Sequence, residues 1–322
     1  MVLVYREKQR DFLKMNPWIA LLATLGLVYR AISRNSLTPI GIVAAVLTAG
    51  AHAIHPWSVF FTLLVVFFLA GTAVTKVKHD IKAKLTHSSS GSPGGEGPRG
   101  HIQVLANSIV ASVLILLHAW VLRQNEKKGS CLPRKGLQIE DVLVFGIIGN
   151  YAAVASDTFS SELGILSKSN PRLITAPWRV VPPGTNGGVS ATGLQAGLLG
   201  SFLISTVAVV MMPLCAGWTL QSKVNLVVGL TAVGLGGSLL DSLLGAALQA
   251  SVVDVRTGKV IEGDGGYKVL VAASTPTKDT KGSQSRKIAV GHDILDNNAV
   301  NLLMAGSMSL VAMVGAAWAL VE

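Results

Sequence analysis

Apolar residues in this chain fall into long blocks, separated by polar, basic or glycine-rich stretches. A block of about 18 or more apolar residues with few charges is long enough to cross a bilayer. Backbone groups inside lipid must pair within their own segment, so such blocks read as helices. About eight blocks stand out, at roughly 17–32, 40–54, 57–75, 102–122, 140–155, 189–212, 224–250 and 298–321. Several are short for a span, which fits tilt or partial re-entry. The fold class this implies is all-α: a polytopic transmembrane helical bundle with a small extramembrane insert between the last two spans. Residues 1–322 read as one integral membrane domain, 86–100 as a flexible loop rich in Ser, Gly and Pro, and 252–290 as a polar extramembrane insert. In that insert the pieces VLVAAS and RKIAV alternate as a small hairpin would.

Composition agrees with the block pattern. Half of the 322 residues are hydrophobic and 14% are charged, against about 25% charged in a soluble domain. The net charge of +10 invites a nucleic-acid reading. That reading is set aside, because Lys and Arg cluster beside apolar blocks, where they orient helices and meet anionic lipid. Cys131 and Cys215 have no metal-ligand spacing, and whether they pair is open. The polar, basic start leads into an apolar block without a small-residue cleavage site, so it reads as a retained first helix.

Eight spans put alternate loops on opposite sides. The loops after spans one, three, five and seven carry 17 of the 27 Lys and Arg, which makes their side cytosolic. The same loops hold nearly all the unusual polar motifs. After span five comes Ser156-Asp157-Thr158-Phe159-Ser160-Ser161-Glu162-Leu163-Gly164. Carboxylates at membrane depth are expensive and usually functional, and hard oxygen ligands suit Mg²⁺. Asp157 and Glu162 are about 140° apart on a regular helix. They converge only if the helix breaks or a second element meets them; otherwise the motif caps a helix end.

Three more motifs follow. Pro182-Pro183-Gly184-Thr185-Asn186-Gly187-Gly188 opens span six and is either a phosphate-binding loop at a helix N-terminus or a plain turn. It is not a Walker A loop. Lys168, Arg172 and Arg179 are the cations expected to neutralise phosphate there. Gly234-Leu235-Gly236-Gly237-Ser238 precedes Asp241-Ser242 inside span seven. Its glycines either kink the helix or admit a close neighbour, and Asp241 reads as a second metal-side carboxylate rather than a lone structural one. Asn297, Asn298 and Asn301 share a face where the last span begins, to bind phosphate, ribose or base, or to bond a neighbouring helix. Gln103 and Asn107 are four apart and can face a polar cleft. Ser36 or Thr38 can cap span two. Lys76, Lys78, Lys82 and Lys84 read as an anchor to anionic lipid.

These motifs together resemble the transmembrane protein 19 family. The resemblance rests on Asp157-Thr158-x-Ser160-Ser161-Glu162-Leu163-Gly164, on Leu166-Ser167-Lys168-Ser169-x-Pro171-Arg172-Leu173, on Val181-Pro182-x-Gly184-Thr185-Asn186-Gly187-Gly188-Val189 and on Ile294-Leu295-Asp296-Asn297-Asn298-Ala299-Val300-Asn301. Ser36-Leu37-Thr38, the Thr75-Lys76 region and Gln103 to Asn107 extend it over nearly the whole chain. The chain departs at Ser156, where relatives often carry Gly, at Phe159, where Trp is common, and in its longer polar inserts. Plant members of that family are phytyl-phosphate kinases. The resemblance implies transfer of the CTP γ-phosphoryl group to a polyprenyl monophosphate. It implies that Asp157, Glu162 and Asp241 hold Mg²⁺ and act catalytically. Gly184, Thr185, Asn186, Gly187, Ser242 and the Asn297, Asn298, Asn301 face would bind phosphates or nucleotide, and Lys168 or Arg172 would neutralise charge. The expected partners are a membrane lipid and a nucleotide, at a cytosol-facing cleft between spans five to eight, in the endoplasmic reticulum of a eukaryotic cell. The rivals are a cytidylyltransferase making a CDP-lipid, and a transporter or structural protein without catalysis.

Overall fold

The structure is a computed structural model, and it describes residues 15–89, 97–124, 131–132, 138–271 and 286–319. The chain is a polytopic helical membrane protein. Six helices are long and apolar enough to cross a membrane: α3 (Ser58–Lys76), α5 (His101–Gln124), α6 (Ile139–Gly164), α7 (Ala191–Met211), α8 (Leu220–Leu248) and α9 (Asn297–Ala319). Two shorter apolar helices, α1 (Pro17–Ser33) and α2 (Pro39–Ala53), precede them, and α4 (His79–Lys82) is a single turn. At about 1.5 Å per residue the two shorter helices fall somewhat below a hydrocarbon thickness of about 30 Å.

Local chemistry sets the helix starts. Asn16 and Thr38 accept hydrogen bonds from the first turns of α1 and α2, with Pro17 and Pro39 at the position that needs no N–H. Ser190 and Thr219 cap α7 and α8 in the same way. Observed and expected span ends agree within four residues, except for the fifth. There α6 runs unbroken to Gly164, nine residues past the expected end at 155.

That helix is the axis of the molecule. It is buried on nearly all sides, from Glu140 to Phe159, and α7, α8, α9 and α5 pack around it. Close packing without a hydrophobic drive between helices needs small residues at the seams. Gly193, Gly197 and Gly200 of α7 lie against Ser160, Ser156 and Ala155 of α6. Gly237 of α8 lies against Ala153, and Gly149 of α6 against Ala312 and Met308. The glycine run of α8 therefore admits a neighbour and does not kink the helix, which is continuous. Tyr151, fully buried in α6, bonds His52 Nε2 through its hydroxyl (2.5 Å), as a phenol inside a core requires.

The two ends of the bundle differ. At one end Cys131 and Cys215 form a disulfide and Leu132 pairs with Leu214, so the loops after spans four and six meet. At the other end the loops after spans one, three, five and seven meet. Strands β1 (His87–Ser88), β5 (Ser251–Asp254), β6 (Val260–Glu262) and β7 (Arg286–Val290) form one sheet in the order β1-β6-β5-β7. Strands β2 (Arg172–Leu173), β3 (Ala176–Val180) and β4 (Gly188–Val189) form a second, in the order β3-β2-β4. RKIAV is β7 and pairs with β5, which forms a hairpin with β6 on its other edge, in place of the expected pairing of RKIAV with VLVAAS. Val269–Val271 of the VLVAAS piece is not strand, and its other residues lie outside the described ones. The flanks of the expected flexible loop are pinned: Ser89 N–H donates to Glu262 (2.8 Å), and Arg99 exchanges backbone bonds with Ser36 and Thr38 (3.0 Å each). Residues 90–96, its centre, lie outside the described residues.

The α6–α7 seam is testable. A Cβ at Gly197 would stand 2.9 Å from Ser156 Oγ and 3.2 Å from its carbonyl oxygen, whereas one at Gly229 would meet nothing within 4 Å. Gly197→Leu should lower stability by about 1–3 kcal/mol through overpacking, and Gly229→Ala should be neutral or raise it slightly. Denaturant titration of the purified protein reads both; equal effects would show that the seam is not close-packed.

Candidate functional site

At the loop-rich end a cavity of about 600 Å³ opens among α3, α5, α6, α8, α9 and both sheets, within the usual size range for small-molecule sites. Asp157 and Glu162 reach it from α6, Asp241 and Ser242 from α8, and Asn297 and Asn301 from the first turn of α9. The loop from Gly184 to Gly188 forms another wall. Because α6 stays helical, its two carboxylates diverge. Glu162 turns toward α3 and α4, where it is held by Lys82 Nζ (2.5 Å), the Thr75 hydroxyl (2.8 Å) and Arg99 Nη2 (3.7 Å). Lys82 also donates to the carbonyls of Val74 and Thr75, so it is a fully engaged buried cation. Asp241 turns toward α9, where the Asn301 amide donates to its Oδ2 (3.0 Å) and to the Asn297 carbonyl (3.3 Å).

Among the described residues, no three His, Cys, Asp or Glu side chains group closely enough to hold a metal ion. The expected three-carboxylate magnesium site of Asp157, Glu162 and Asp241 is therefore corrected: Glu162 is committed to an ion pair on the far wall. Asp157 and Asp241 remain as two carboxylates on one cavity. The glycine loop is also corrected in role. Its N–H groups at Thr185, Asn186 and Gly188 are spent on Pro182, Ser251 and Thr185 (3.3, 2.9 and 2.9 Å), and the Thr185 hydroxyl on Pro182 (2.7 Å). Gly184 and Gly187 have φ of +83° and +76°, which glycine adopts freely. A Cβ at Gly187 would stand 2.7 Å from the Ser242 carbonyl. The loop is a braced wall pressed against α8 beside Asp241, not an open row of donors.

The profile of a family described as integral membrane protein DUF92 matches residues 22–309. The chain belongs to this family. It is the kinship with transmembrane protein 19 that the motifs imply. Protein PGR of Arabidopsis thaliana is 36% identical over 294 residues, covering 89% of this chain and 93% of that protein. The uncharacterized membrane protein MJ0933 of Methanocaldococcus jannaschii is 44% identical over 106 residues, 33% of this chain and 40% of that one. The chloroplastic Protein VTE6 of Arabidopsis thaliana is 29% identical over 173 residues, 54% of this chain and 47% of that one. No solved structure matches.

Of the cations expected in this DUF92 chain's site, none lines the cavity. Lys168 is exposed, Arg172 donates to the Pro177 carbonyl (2.9 Å) and Arg179 to that of Ala289 (3.1 Å), so the two arginines fasten the small sheets. Asn298 turns away and holds the Gly265 carbonyl (3.0 Å), fixing the turn at Asp264–Gly266. The cations that do line the cavity are Lys82, Arg99 and Lys268. Lys82 read as a lipid anchor because it sits in a lysine run; only the fold shows that α4 turns it inward. Glu262 and Asp264, from β6 and the turn after it, also line the cavity, and no pattern in the sequence marked them. The Ser88 hydroxyl bonds Asp264 and so ties β1 to the rim. The expected cleft between spans five to eight is in fact wider, taking in the ends of α3 and α5.

Breaking a buried ion pair by removing one partner typically costs about 3–5 kcal/mol. Lys82→Met should destabilise the protein on that scale, and Lys82→Met with Glu162→Gln should recover part of the loss. A double-mutant cycle by thermal unfolding measures the coupling. Additive effects would mean that the pair does not join α4 to α6.

Proposed function

We propose that this chain is a membrane-embedded phosphotransferase that moves the γ-phosphoryl group of CTP onto a prenyl monophosphate of the phytyl, farnesyl or geranylgeranyl type. One observation carries the reading: carboxylates, amides and cations from separated parts of the chain converge in a cavity at one end of a lipid-embedded bundle. A prenyl phosphate keeps its hydrocarbon in the bilayer and its head at the interface, the depth of this cavity. An acceptor phosphate oxygen bonds the γ-phosphorus while the bond from that phosphorus to the β,γ-bridging oxygen breaks. The products are the prenyl diphosphate and CDP. The acceptor is already an anion, so no general base is required, and positioning with charge neutralisation does the rest.

Mg²⁺ is commonly held by one or two carboxylates plus substrate phosphates and water. Asp157 and Asp241 fit that donor set, and the ion would neutralise the β- and γ-phosphates there. Asn301 orients Asp241 by donating to it, and Asn297 is positioned beside it. Lys82, Arg99 and Lys268 bring positive charge to the walls.

Two independent features support a cytosolic cavity face. The loops on that side carry 17 of the 27 Lys and Arg. The disulfide sits at the opposite end, and disulfides form in oxidising compartments such as the endoplasmic reticulum lumen. An endoplasmic reticulum membrane fits both.

The test is purified protein in lipid nanodiscs with Mg²⁺, prenyl monophosphates and CTP labelled at either the α or the γ position. Label from the γ position should enter the lipid. Label from the α position would instead identify a cytidylyltransferase. Asp157→Asn and Asp241→Asn should each cut the rate on the order of 10²-fold or more, while Lys168→Ala should leave it nearly unchanged. Full activity in both Asp variants would overturn the assignment.

A further inference from the structure

A second cavity, of about 510 Å³, lies between α1, α2, α3 and α5. Thr75, His79, Arg99, Gln103 and Asn107 line it and the polar cavity alike, so the two share a wall. Its inner walls are apolar: Leu27, Ile42, Ala45, Leu64, Phe67 and Phe68. The hydroxyls among them are already engaged. Thr24 donates to the Ala20 carbonyl (2.7 Å), Thr72 to that of Phe68 (2.6 Å), and Thr48 and Ser108 bond each other (3.3 Å). This interior suits hydrocarbon, which leaves no polar group stranded. The lining runs from Thr24 to Arg34 along α1 and its cap, and from Leu64 to Lys76 along α3. Those stretches are about 15–18 Å long at about 1.5 Å per residue, close to half of a hydrocarbon core of about 30 Å. The cavity is thus one leaflet deep.

Its surface end is basic. Arg34 and Lys76 line it and are exposed. Arg30, one turn before Arg34, lies near enough to join it in repelling the Lys76 ammonium. Among the described residues, none of these three cations has a carboxylate within ion-pairing distance. Asp80, the acidic residue nearest to Lys76 in sequence, stands by His79 instead (4.0 Å). The C-termini of α1 and α3 end among these cations, at about −0.5 charge each, and so offset about one of the three positive charges. The Ser36 hydroxyl, which also lines the cavity, has no hydrogen-bond partner. A basic rim over a one-leaflet hydrocarbon slot is complementary to an anionic lipid.

We propose that this cavity binds an anionic glycerophospholipid of the adjoining leaflet, with one acyl chain between α1, α2, α3 and α5 and the phosphate held by Arg30, Arg34 and Lys76. This site is independent of the kinase reading. Lys and Arg at the bilayer surface attract anionic lipid, and the cytosolic leaflet is the one rich in it. A zwitterionic lipid would bring a cation of its own to the rim and be repelled by the three already there. The rim also separates this lipid from the polar cavity. Arg34 and Lys76 line the apolar cavity and not the one that Asp157 and Asp241 reach. A phosphate held between them stands outside the polar cavity, as a resident lipid does and a phosphoryl acceptor does not. The acyl chain then lies along the apolar walls at the depth of its own leaflet.

The full-length protein in phosphatidylcholine nanodiscs tests this with phosphatidylserine that bears a diazirine on one acyl chain. Crosslinks should fall in α1, α2, α3 or α5. Unlabelled phosphatidylserine should suppress them at a mole fraction at which added phosphatidylcholine of the same chain length leaves them unchanged. Arg34→Gln with Lys76→Gln should cut labelling at low probe fraction on the order of twentyfold, about fivefold per cation. The charge-preserving pair Arg34→Lys with Lys76→Arg should retain most of it. Ala45→Phe puts a ring into the slot and should cut labelling with the rim intact. Arg34 and Lys76 are exposed, so the charge variants decide the matter if Ala45→Phe does not fold. Labelling that phosphatidylcholine suppresses equally, or that the double Gln variant retains, would overturn the site and leave a gap filled by bulk lipid. Crosslinks confined to other helices would do the same. Suppression by geranylgeranyl phosphate at a tenth of the phosphatidylserine fraction would assign the cavity to a prenyl phosphate and overturn the phospholipid. None of these outcomes bears on phosphoryl transfer, which the labelled-CTP assay reads separately.

Discussion

Hydrocarbon offers the peptide backbone no hydrogen-bond partner but itself, and the architecture follows from this. Each apolar segment is a helix, and many polar side chains in the bundle are met by another side chain, as His52 meets Tyr151, or by a helix carbonyl, as Ser201 meets that of Thr231. The helix that can carry acidic residues furthest inward is one shielded from lipid on every side. That helix is α6, and it is shielded because α7 and α8 bring glycine to its surface and allow near contact of backbones. Its last two turns then leave the apolar core as a rigid rod, bearing Asp157 and Glu162 in different directions.

The diverging carboxylates divide the cavity into two chemically distinct walls. Glu162 draws Lys82 inward and, with it, the single turn of α4, so the segment after α3 is folded against α6. Asp241, by contrast, is met by an amide from α9, a neutral donor. One wall therefore holds a carboxylate among cations and the other a carboxylate beside amides. The braced glycine loop lies on the Asp241 side, pressed so near α8 that no side chain fits at Gly187.

The apolar helices, the polar end and the main motif carriers were legible in the sequence because they depend on local chain properties: block length, caps such as Thr38 and Ser190, and clustered Lys and Arg. The end of α6 was not, since Ser156 to Gly164 is polar enough to look like a loop. What keeps it helical is the flank of α7 and the Lys82–Glu162 pair, both supplied from far along the chain. Cation roles were misread for a related reason. Spacing shows that Lys168 and Arg172 neighbour the motif, but not that Arg172 turns back to the Pro177 carbonyl. Arg99 was invisible as a site residue, because it follows a Gly- and Pro-rich stretch and acquires its position only through backbone bonds to Ser36 and Thr38. The disulfide was undecidable, as its cysteines lie 84 positions apart with two spans between them, and the packing of those spans sets their distance.

Arg99 is where the two cavities have to be reconciled. A nucleotide triphosphate and a lipid phosphate repel each other strongly, and two carboxylates on the polar side add to that repulsion. Cations are needed between the two anions rather than around either one. The shared wall carries the Arg99 guanidinium beside the Lys82–Glu162 pair. An arginine suits the position better than a lysine, because its planar fork can bind one anion while its stem and backbone stay fixed. The Glu162 that closes α4 onto α6 thus also lies 3.7 Å from the Arg99 guanidinium, so the carboxylate committed to Lys82 also shapes the wall that the two cavities share.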